Sequence, residues 1–330
     1  MAQDNTSSKI GVVVNPTAGL GKGARTGAKV MQELRQHGVE VVDLSGKSAH
    51  DALARARAAC LEGLAALVVV GGDGMVNLGA NATIETPTPL AIVASGSGND
   101  FARALDLPVN DVSKSVEQII NAVKHGNVRA LDAGLVRPQM DELAPARILK
   151  INPEGTDHHS NASQRWFAGT LSLGLDAAVN LQANTYSWPK GHLKYLRAVV
   201  ACLSKYKPYG YVLEVDGTKR SISGTLAAVS NAPYFGGGIP IAPHASLTDG
   251  TLNLMLAEPL KIGGILKIFP KLYSGKHLQD PAVSTEEVTE IIIRPGDKGV
   301  FPPVAMADGE VIGPVPLNIS VAPGALKVLH

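Results

Sequence analysis

The sequence predicts an α/β fold in two parts, a parallel βαβ domain followed by a second, mainly antiparallel β-rich domain, with the active site in the cleft between them. Three observations predict it. Short valine-rich runs alternate with stretches of helical period as far as Asp132. Three of those runs end in glycine-rich turns that open helices. Beyond Asp132 the helical period gives way to short apolar segments separated by turns.

Taken in order, residues 10–15 read as a first strand, followed by the turn Pro16-Thr17-Ala18-Gly19-Leu20-Gly21-Lys22-Gly23. Residues 24–36 read as a helix ended by His37-Gly38. Residues 39–44 are a second strand and the alanine-rich residues 50–61 a helix. Residues 64–70 are the third strand, leading into Gly71-Gly72-Asp73-Gly74-Met75-Val76-Asn77. Its unbroken apolar run suits a strand covered on both faces. Residues 90–94 are the fourth strand, then come Ser95-Gly96-Ser97-Gly98-Asn99 and a helix from about Asp100. In a parallel sheet these three turns converge at the carboxyl ends of the strands, where ligands gather.

The turn after the third strand carries the most chemistry. Its glycines let the backbone approach a bulky anion, and the N–H groups of the following helix can face phosphate oxygens. A carboxylate at Asp73 would repel phosphate unless a cation lay between them, which suggests a nucleotide held with Mg2+. The plainer reading is a corner of the chain, and two further turns of the same kind weigh against it. Gly19-x-Gly21-x-x-Ala24 with Asp43 loosely matches a dinucleotide fingerprint, but Asn15-Pro16-Thr17-Ala18 intervene before the first glycine. Lys22 precedes Gly23 rather than Ser or Thr, so the first turn is not a Walker A loop.

In the second domain, residues 137–164 read as a polar surface loop, and order resumes at 167–179. Residues 187–206 read as one long helix with Leu193, Leu196, Val200 and Leu203 on one face. Lysines, Arg197 and aromatic residues are interleaved along it. Such a helix either lies on an anionic membrane surface or packs its apolar face into a core. Strands are expected at 211–215, 221–230, 251–257, 290–294 and 317–321, with residues 326–329 returning to the first domain. The expected boundaries are 1–133, joined by 324–330, and 134–323.

The totals narrow the field. Of 330 residues, 45% are hydrophobic, enough for a sizeable core. A net charge of +1 gives no whole-chain case for nucleic acid. Cys60 and Cys202, the only cysteines, form neither a disulfide framework nor a zinc motif, so a cytoplasmic setting is expected. No apolar run approaches the roughly 20 residues of a membrane span, so any membrane contact is peripheral.

Gly71-Gly72-Asp73-Gly74 with Asn77 resembles the G-G-D-G-T-x-N loop of the diacylglycerol kinase catalytic superfamily, which includes bacterial lipid kinases and sphingosine kinases. Asn15-Pro16-x-Ala18-Gly19 is similar to the family's N-P-x-[SA]-G, and Gly96-Ser97-Gly98-Asn99-Asp100-Phe101-Ala102 to its G-T-x-N-D-[FV]-A. Asn231 with Tyr234-Phe235-Gly236-Gly237-Gly238, then Pro243-x-Ala245-x-x-x-Asp249-Gly250, resembles its glycine-rich strand and turn. Asp308-Gly309-Glu310 matches its D-G-E. G-G-D-G alone is shared with NAD kinases and phosphofructokinases; the N-D-F-A and D-G-E segments are more specific.

The resemblance implies an ATP- and Mg2+-dependent kinase acting on the hydroxyl of diacylglycerol or a related lipid, peripherally attached to the membrane. A homodimer is compatible with it. It implies that Asn15, Pro16, Thr17, Ala18, Gly19, Gly71, Gly72, Asp73, Gly74, Met75, Val76, Asn77 and Ser97 hold ATP, with Ser45 nearby. It implies that Asp308 and Glu310 supply catalytic carboxylates, one as general base, and that Asp73 acts through Mg2+. A second, structural Mg2+ would take the Asp249 side chain and the carbonyls of Ser246 and Thr251, and Asp132 resembles an aspartate linked to that region. Read from the residues alone, Asp308-x-Glu310 on an extended segment would point both side chains one way, while Asp308-Gly309 also suits a hairpin turn. Two close carboxylates can raise one pKa, which suits a base. Met75 replaces the family's Thr and Leu78 its Glu. A soluble NAD kinase-type enzyme and a non-catalytic lipid- or nucleotide-binding regulator stand as alternatives.

Overall fold

The structure, a computed structural model, describes residues 9–16, 18–139, 164–186, 188 and 192–330. The N-terminal half runs β1 (Lys9–Val14), α1 (Ala18–Gly21), α2 (Gly23–Gln36), β2 (Glu40–Asp43), α3 (Ala49–Glu62), β3 (Ala66–Gly71), α4 (Asp73–Thr83), β4 (Leu90–Ala94), α5 (Asp100–Ala104) and α6 (Val112–His125). The second half begins with β5 (Val128–Pro138), β6 (Arg165–Phe167), β7 (Thr170–Gly174), α7 (Leu175–Asn184) and α8 (His192–Leu203). It continues through β8 (Tyr209–Val215), β9 (Thr218–Gly224), β10 (Leu226–Ser230), β11 (Leu252–Ala257), α9 (Ile262–Leu272) and a 3-10 turn, Lys276–Gln279. It ends with β12 (Val283–Val288), β13 (Glu290–Pro295), β14 (Ala305–Ala307), β15 (Glu310–Gly313) and β16 (Leu317–Leu329).

β2, β1, β3 and β4 pair in parallel, as the alternation of runs and helices requires. Side-chain alternation splits their valines between two cores. Val12, Val14, Val68 and Val70 pack against Val30 and Leu34 of α2 and Ile119 and Ile120 of α6. Val13, Leu67 and Val69 pack against α3, α4 and α5 through Ala56, Ala80 and Phe101. The sheet is therefore covered on both faces, and its loops emerge at one edge.

The same sheet continues into the second half. β16 pairs with β4 in parallel at Val328, with β13 antiparallel, and with β5 along ten residue pairs. Asp132 lies within β5, so the boundary expected at 133/134 falls inside a strand that both halves share. The other sheet has the order β12-β11-β10-β7-β14-β15, antiparallel throughout. Phe167, Leu171, Tyr211, Leu254, Ile291 and Leu317 lie in the core between the two sheets.

Several expectations need correction. The strand expected over 221–230 is two, β9 and β10, which belong to different sheets and part at Thr225. The helix expected from about Asp100 is found as α5, a short one ending at Ala104, with Asp106 and Asn110 beyond it taking left-handed φ of 55° and 58° around Pro108. The long helix expected over 187–206 is described as α8, from His192. α7 and α9 were not expected; Gly263, Gly264 and Pro270 mask the helical pattern of α9. The polar loop expected over 137–164 falls largely outside the described residues.

Of the two placements open for the apolar face of α8, outward or into a core, most of it faces outward. Ala198 and Leu203 are buried, with Val199 and Cys202 packed against Val179 and Ala183 of α7. Leu193, Leu196 and Val200 are exposed.

Candidate active site

The glycine-rich turns meet through their backbones. Ser95 N–H donates to Gly71 O at 2.8 Å. A Cβ at Gly96 would collide with the backbone of Gly72, and one at Gly19 would stand 2.9 Å from Ser95 O, besides needing φ +58°. Only glycine permits these approaches. Asn15 N–H donates to Val70 O at 3.1 Å, and Asn15 O accepts from Ala18 N–H, which folds the first turn over the end of β3. Pro16 is exposed on this turn, and Thr17 lies outside the described residues. Ser97 is exposed at the tip of the third turn.

α4 opens in this cluster. Gly72 caps it without a side-chain bond, and Gly72 O accepts from Met75 N–H at 2.9 Å and Val76 N–H at 3.3 Å. Met75 and Val76 are buried in the core, Met75 against Gly71, so neither presents a side chain to a ligand. Ser45 is also committed: its hydroxyl accepts from Val14 N–H at 3.1 Å and donates to Asp43 Oδ1 at 2.6 Å, fixing the ends of β1 and β2. Asp73 Oδ1 accepts from Phe101 N–H at 3.1 Å. Its Oδ2 faces Gly98, where a Cβ would come within 2.7 Å.

The second half reaches this cluster from the other side. β14 and β15 are joined by Asp308-Gly309, with φ of 50° and 86°, a two-residue hairpin turn rather than an extended segment. The extended geometry expected for Asp308-x-Glu310 is thereby overturned, because two successive positive φ values reverse the chain. Asp308 is enclosed. Its Oδ1 accepts from Gly169 N–H at 2.9 Å and Thr170 N–H at 3.0 Å. Its Oδ2 accepts from Ala168 N–H at 2.9 Å and Asn77 Nδ2 at 3.1 Å. Burial pushes the carboxyl up to about 6 against these donors, which favour the ionised form. The rise expected from paired carboxylates thus comes from burial instead. Glu310 is exposed, and its Oε1 stands 3.3 Å from where a Cβ on Gly74 would sit. Asp308 holds the turn to α4 through Asn77, and Glu310 faces the start of α4, its carboxylate without a hydrogen bond among the described residues.

Asp100 and Arg103 escaped sequence reasoning as site residues. Asp100, buried beside Asp73, accepts from Gly237 N–H at 2.8 Å and Gly238 N–H at 2.5 Å, tying the third turn to the second half. Desolvation raises its pKa, with Asp73 adding to the rise. Arg103 Nη2 donates to Gly98 O at 3.5 Å, beside Gly238, which puts a cation on the rim. The signal available was an aspartate opening a helix, with an arginine three residues on, directly after a glycine-rich turn.

Asp132 accepts from Gly250 N–H at 2.7 Å and Gly324 N–H at 2.8 Å, so it fastens the Ser246–Thr251 loop to the backbone of β16. In that loop Asp249 Oδ1 accepts from both N–H and O–H of Thr251, at 2.9 and 3.0 Å. Among the described residues no three His, Cys, Asp or Glu side chains gather as a metal cluster. The donors at Asp73 and at Asp249 are oxygens, each with one carboxylate oxygen free of protein donors, which fits a hard cation in type.

The chain is similar to known proteins over nearly its whole length. The diacylglycerol kinase catalytic domain model matches residues 9–136, and the YegS C-terminal NAD kinase beta sandwich-like domain model matches 169–330. A diacylglycerol kinase of Mycobacterium tuberculosis is 30% identical over 98% of this chain and 95% of its own. One from Bacillus subtilis is 26% identical over 87% and 86%. The crystal structure of a diacylglycerol kinase from Bacillus anthracis, 18% identical, superposes with a TM-score of 0.63 over 98% of this chain and 97% of its own, which shows the shared fold.

Proposed function

The chain belongs to the diacylglycerol kinase catalytic family, and from that premise we propose that it transfers the γ-phosphoryl group of ATP to the hydroxyl of diacylglycerol or a related neutral lipid. The observation that carries the reading is the meeting of Glu310, from the second half, with Gly74 at the start of α4. This supports a reading in which the carboxylate meets a hydroxyl nucleophile at the glycine-lined N-terminus of the helix.

Phosphoryl transfer asks the protein mainly to position reactants and neutralise charge. The half-buried backbone of Gly72-Asp73-Gly74 at the start of α4 would offer its N–H groups to phosphate oxygens. Arg103 adds positive charge at the rim. Asp73, with Oδ2 free of protein donors, would hold Mg2+, which supplies further neutralisation when bound. Glu310 takes the proton of the lipid hydroxyl as its oxygen bonds to phosphorus and the bond to the ADP oxygen breaks. Asp308 already accepts four hydrogen bonds and positions the turn, so it is the weaker candidate for base. Asp249, with the carbonyls of Ser246 and Thr251, would hold a second cation that stiffens the loop anchored by Asp132.

The test is a transfer assay with labelled ATP and Mg2+ on diacylglycerol, sphingosine-like and ceramide-like lipids in mixed micelles, with NAD in parallel. Label in diacylglycerol is expected. Label only in NAD, or ATP binding with no transfer to any acceptor, would overturn the proposal.

A further inference from the structure

A cavity of about 410 Å³ opens on the outer face of the second sheet and shares no residue with the candidate active site. Leu252 and Leu254 of β11 point into the core between the sheets, so Asn253 and Met255 point the other way. β12 lies beside them at the sheet's edge, with Glu287 opposite Asn253 and Thr285 opposite Met255. Such cross-strand partners stand side by side on one face. Met255 and Ala242 are buried in a small apolar cluster against which Leu278 packs, and these three give the cavity an apolar floor. Pro243 and His244 complete the wall.

The walls are fixed by bonds of their own. His277, fully buried in the 3-10 turn, donates from Nε2 to Ile241 O at 3.2 Å. Lys271 Nζ and Asp280 Oδ2 pair at 2.7 Å and fasten α9 to the end of that turn. Asp280 O accepts from Val283 N–H at 2.9 Å, which ties the turn to the start of β12. A formed hollow of this size, with an apolar floor and a few polar groups at its mouth, is the shape in which proteins hold small molecules. Because it is already built, a ligand would be spared much of the cost of ordering it.

Charge and donor count choose the ligand. No lysine or arginine lines the cavity. Glu286 is paired with Arg220, whereas Glu287 has no ion pair or hydrogen bond among the described residues. The mouth therefore presents one uncompensated negative charge. Beside it stand two more acceptors, the side-chain oxygens of Asn253 and Thr285. A primary ammonium carries one positive charge and three N–H donors, which matches that set. A phosphate or carboxylate would face Glu287 and be repelled, which disfavours a phospholipid head in favour of a free amine.

We propose that this cavity binds a small primary amine, as its ammonium ion, with an attached apolar ring or short chain laid on Met255 and Leu278. The proposal stands apart from the lipid-kinase reading, in which no residue of the cavity takes part. The probes are benzylamine, benzyl alcohol and benzoate, titrated against the full chain and followed by saturation-transfer NMR on the ligand. The variants are Glu287→Gln and Thr285→Trp. Benzylamine is expected to bind saturably at about millimolar concentration or below. Benzyl alcohol and benzoate should bind about fivefold more weakly or worse. Glu287→Gln should bring benzylamine down to the level of the alcohol. Thr285→Trp fills the mouth from an edge strand that accepts a large side chain, and should abolish binding of benzylamine. Both variants should keep the wild-type thermal midpoint, since both positions are exposed. Equal binding of the three probes would overturn the proposal. So would benzylamine binding that neither variant weakens, because the amine would then sit elsewhere. Absence of saturable benzylamine binding up to about 10 mM would overturn it as well.

Discussion

Replacing Asp308 by asparagine separates the roles of the two carboxylates in the hairpin turn. In the wild type both Asp308 oxygens accept N–H groups, from Gly169 and Thr170 on one side and from Ala168 and Asn77 on the other. An asparagine keeps one acceptor oxygen and turns an NH2 toward two donors, whichever way its amide is flipped. Two enclosed N–H groups then lose their acceptor, at about 1–3 kcal/mol each, so the variant should unfold about 2–6 kcal/mol more easily. That is a large share of the roughly 5–15 kcal/mol that holds a domain folded. Glu310→Gln should leave stability within about 0.5 kcal/mol, since the side chain is exposed and away from the core. It should lower turnover by about a hundredfold or more. The assay is urea unfolding of both variants with the slope held as a check on two-state behaviour, beside initial rates of phosphoryl transfer. An Asp308→Asn protein as stable as wild type yet catalytically dead would refute the positioning role and make Asp308 the base.

Three further outcomes are expected. Met75→Thr should destabilise by about 1–3 kcal/mol and not raise turnover, because the side chain fills core beside Gly71; thermal melts and rates check it. Gly98→Ala should crowd Asp73 Oδ2 and raise the Mg2+ concentration for half-maximal rate by about tenfold, with little change in melting temperature. Asp176, whose two carboxyl oxygens are buried, has its carboxyl pushed up to about 6 from 3.8 by desolvation, against the opposing pull of the Ser172 hydroxyl and the Ala177 N–H. Its contribution to stability is complete below about pH 4 and is lost as pH rises through about 6, amounting to about 2–3 kcal/mol. Asp176→Asn should flatten that stretch of the profile in urea titrations at a series of pH values.

The parallel half of the fold was legible because its signals are local. An unbroken run such as Leu67 to Val70 reads as a strand only if both faces are covered, and the structure covers both. The glycine turns were legible for the same reason: Gly72 and Gly96 exist to let two backbones touch. What failed was non-local. The period of α8 gave the helix and left its inner face open, since burial against α7 is decided by small residues such as Ala198 rather than by the leucines. The strand over 221–230 looked continuous because nothing near Thr225 says that its two sides join different sheets. Asp308 and Glu310 were found through their motif, but their division of labour was not. Which carboxylate is saturated depends on Asn77 and on the backbone of 168–170, far away in sequence. Asp100 was passed over likewise, because its partners Gly237 and Gly238 lie more than a hundred residues downstream.

The strand shared by both halves bears on the order of assembly. β5 finds its partner in β16, and β4 is flanked on its far side by Val328, so the sheet that carries the glycine turns is closed by residues far downstream of them. During synthesis β4 and β5 emerge before β16, so β4 would present an open edge and β5 would lack its ladder. Neither half is then expected to fold alone. A fragment cut between the two regions should fold poorly and associate through that edge, and mixing the two fragments should restore the ladder.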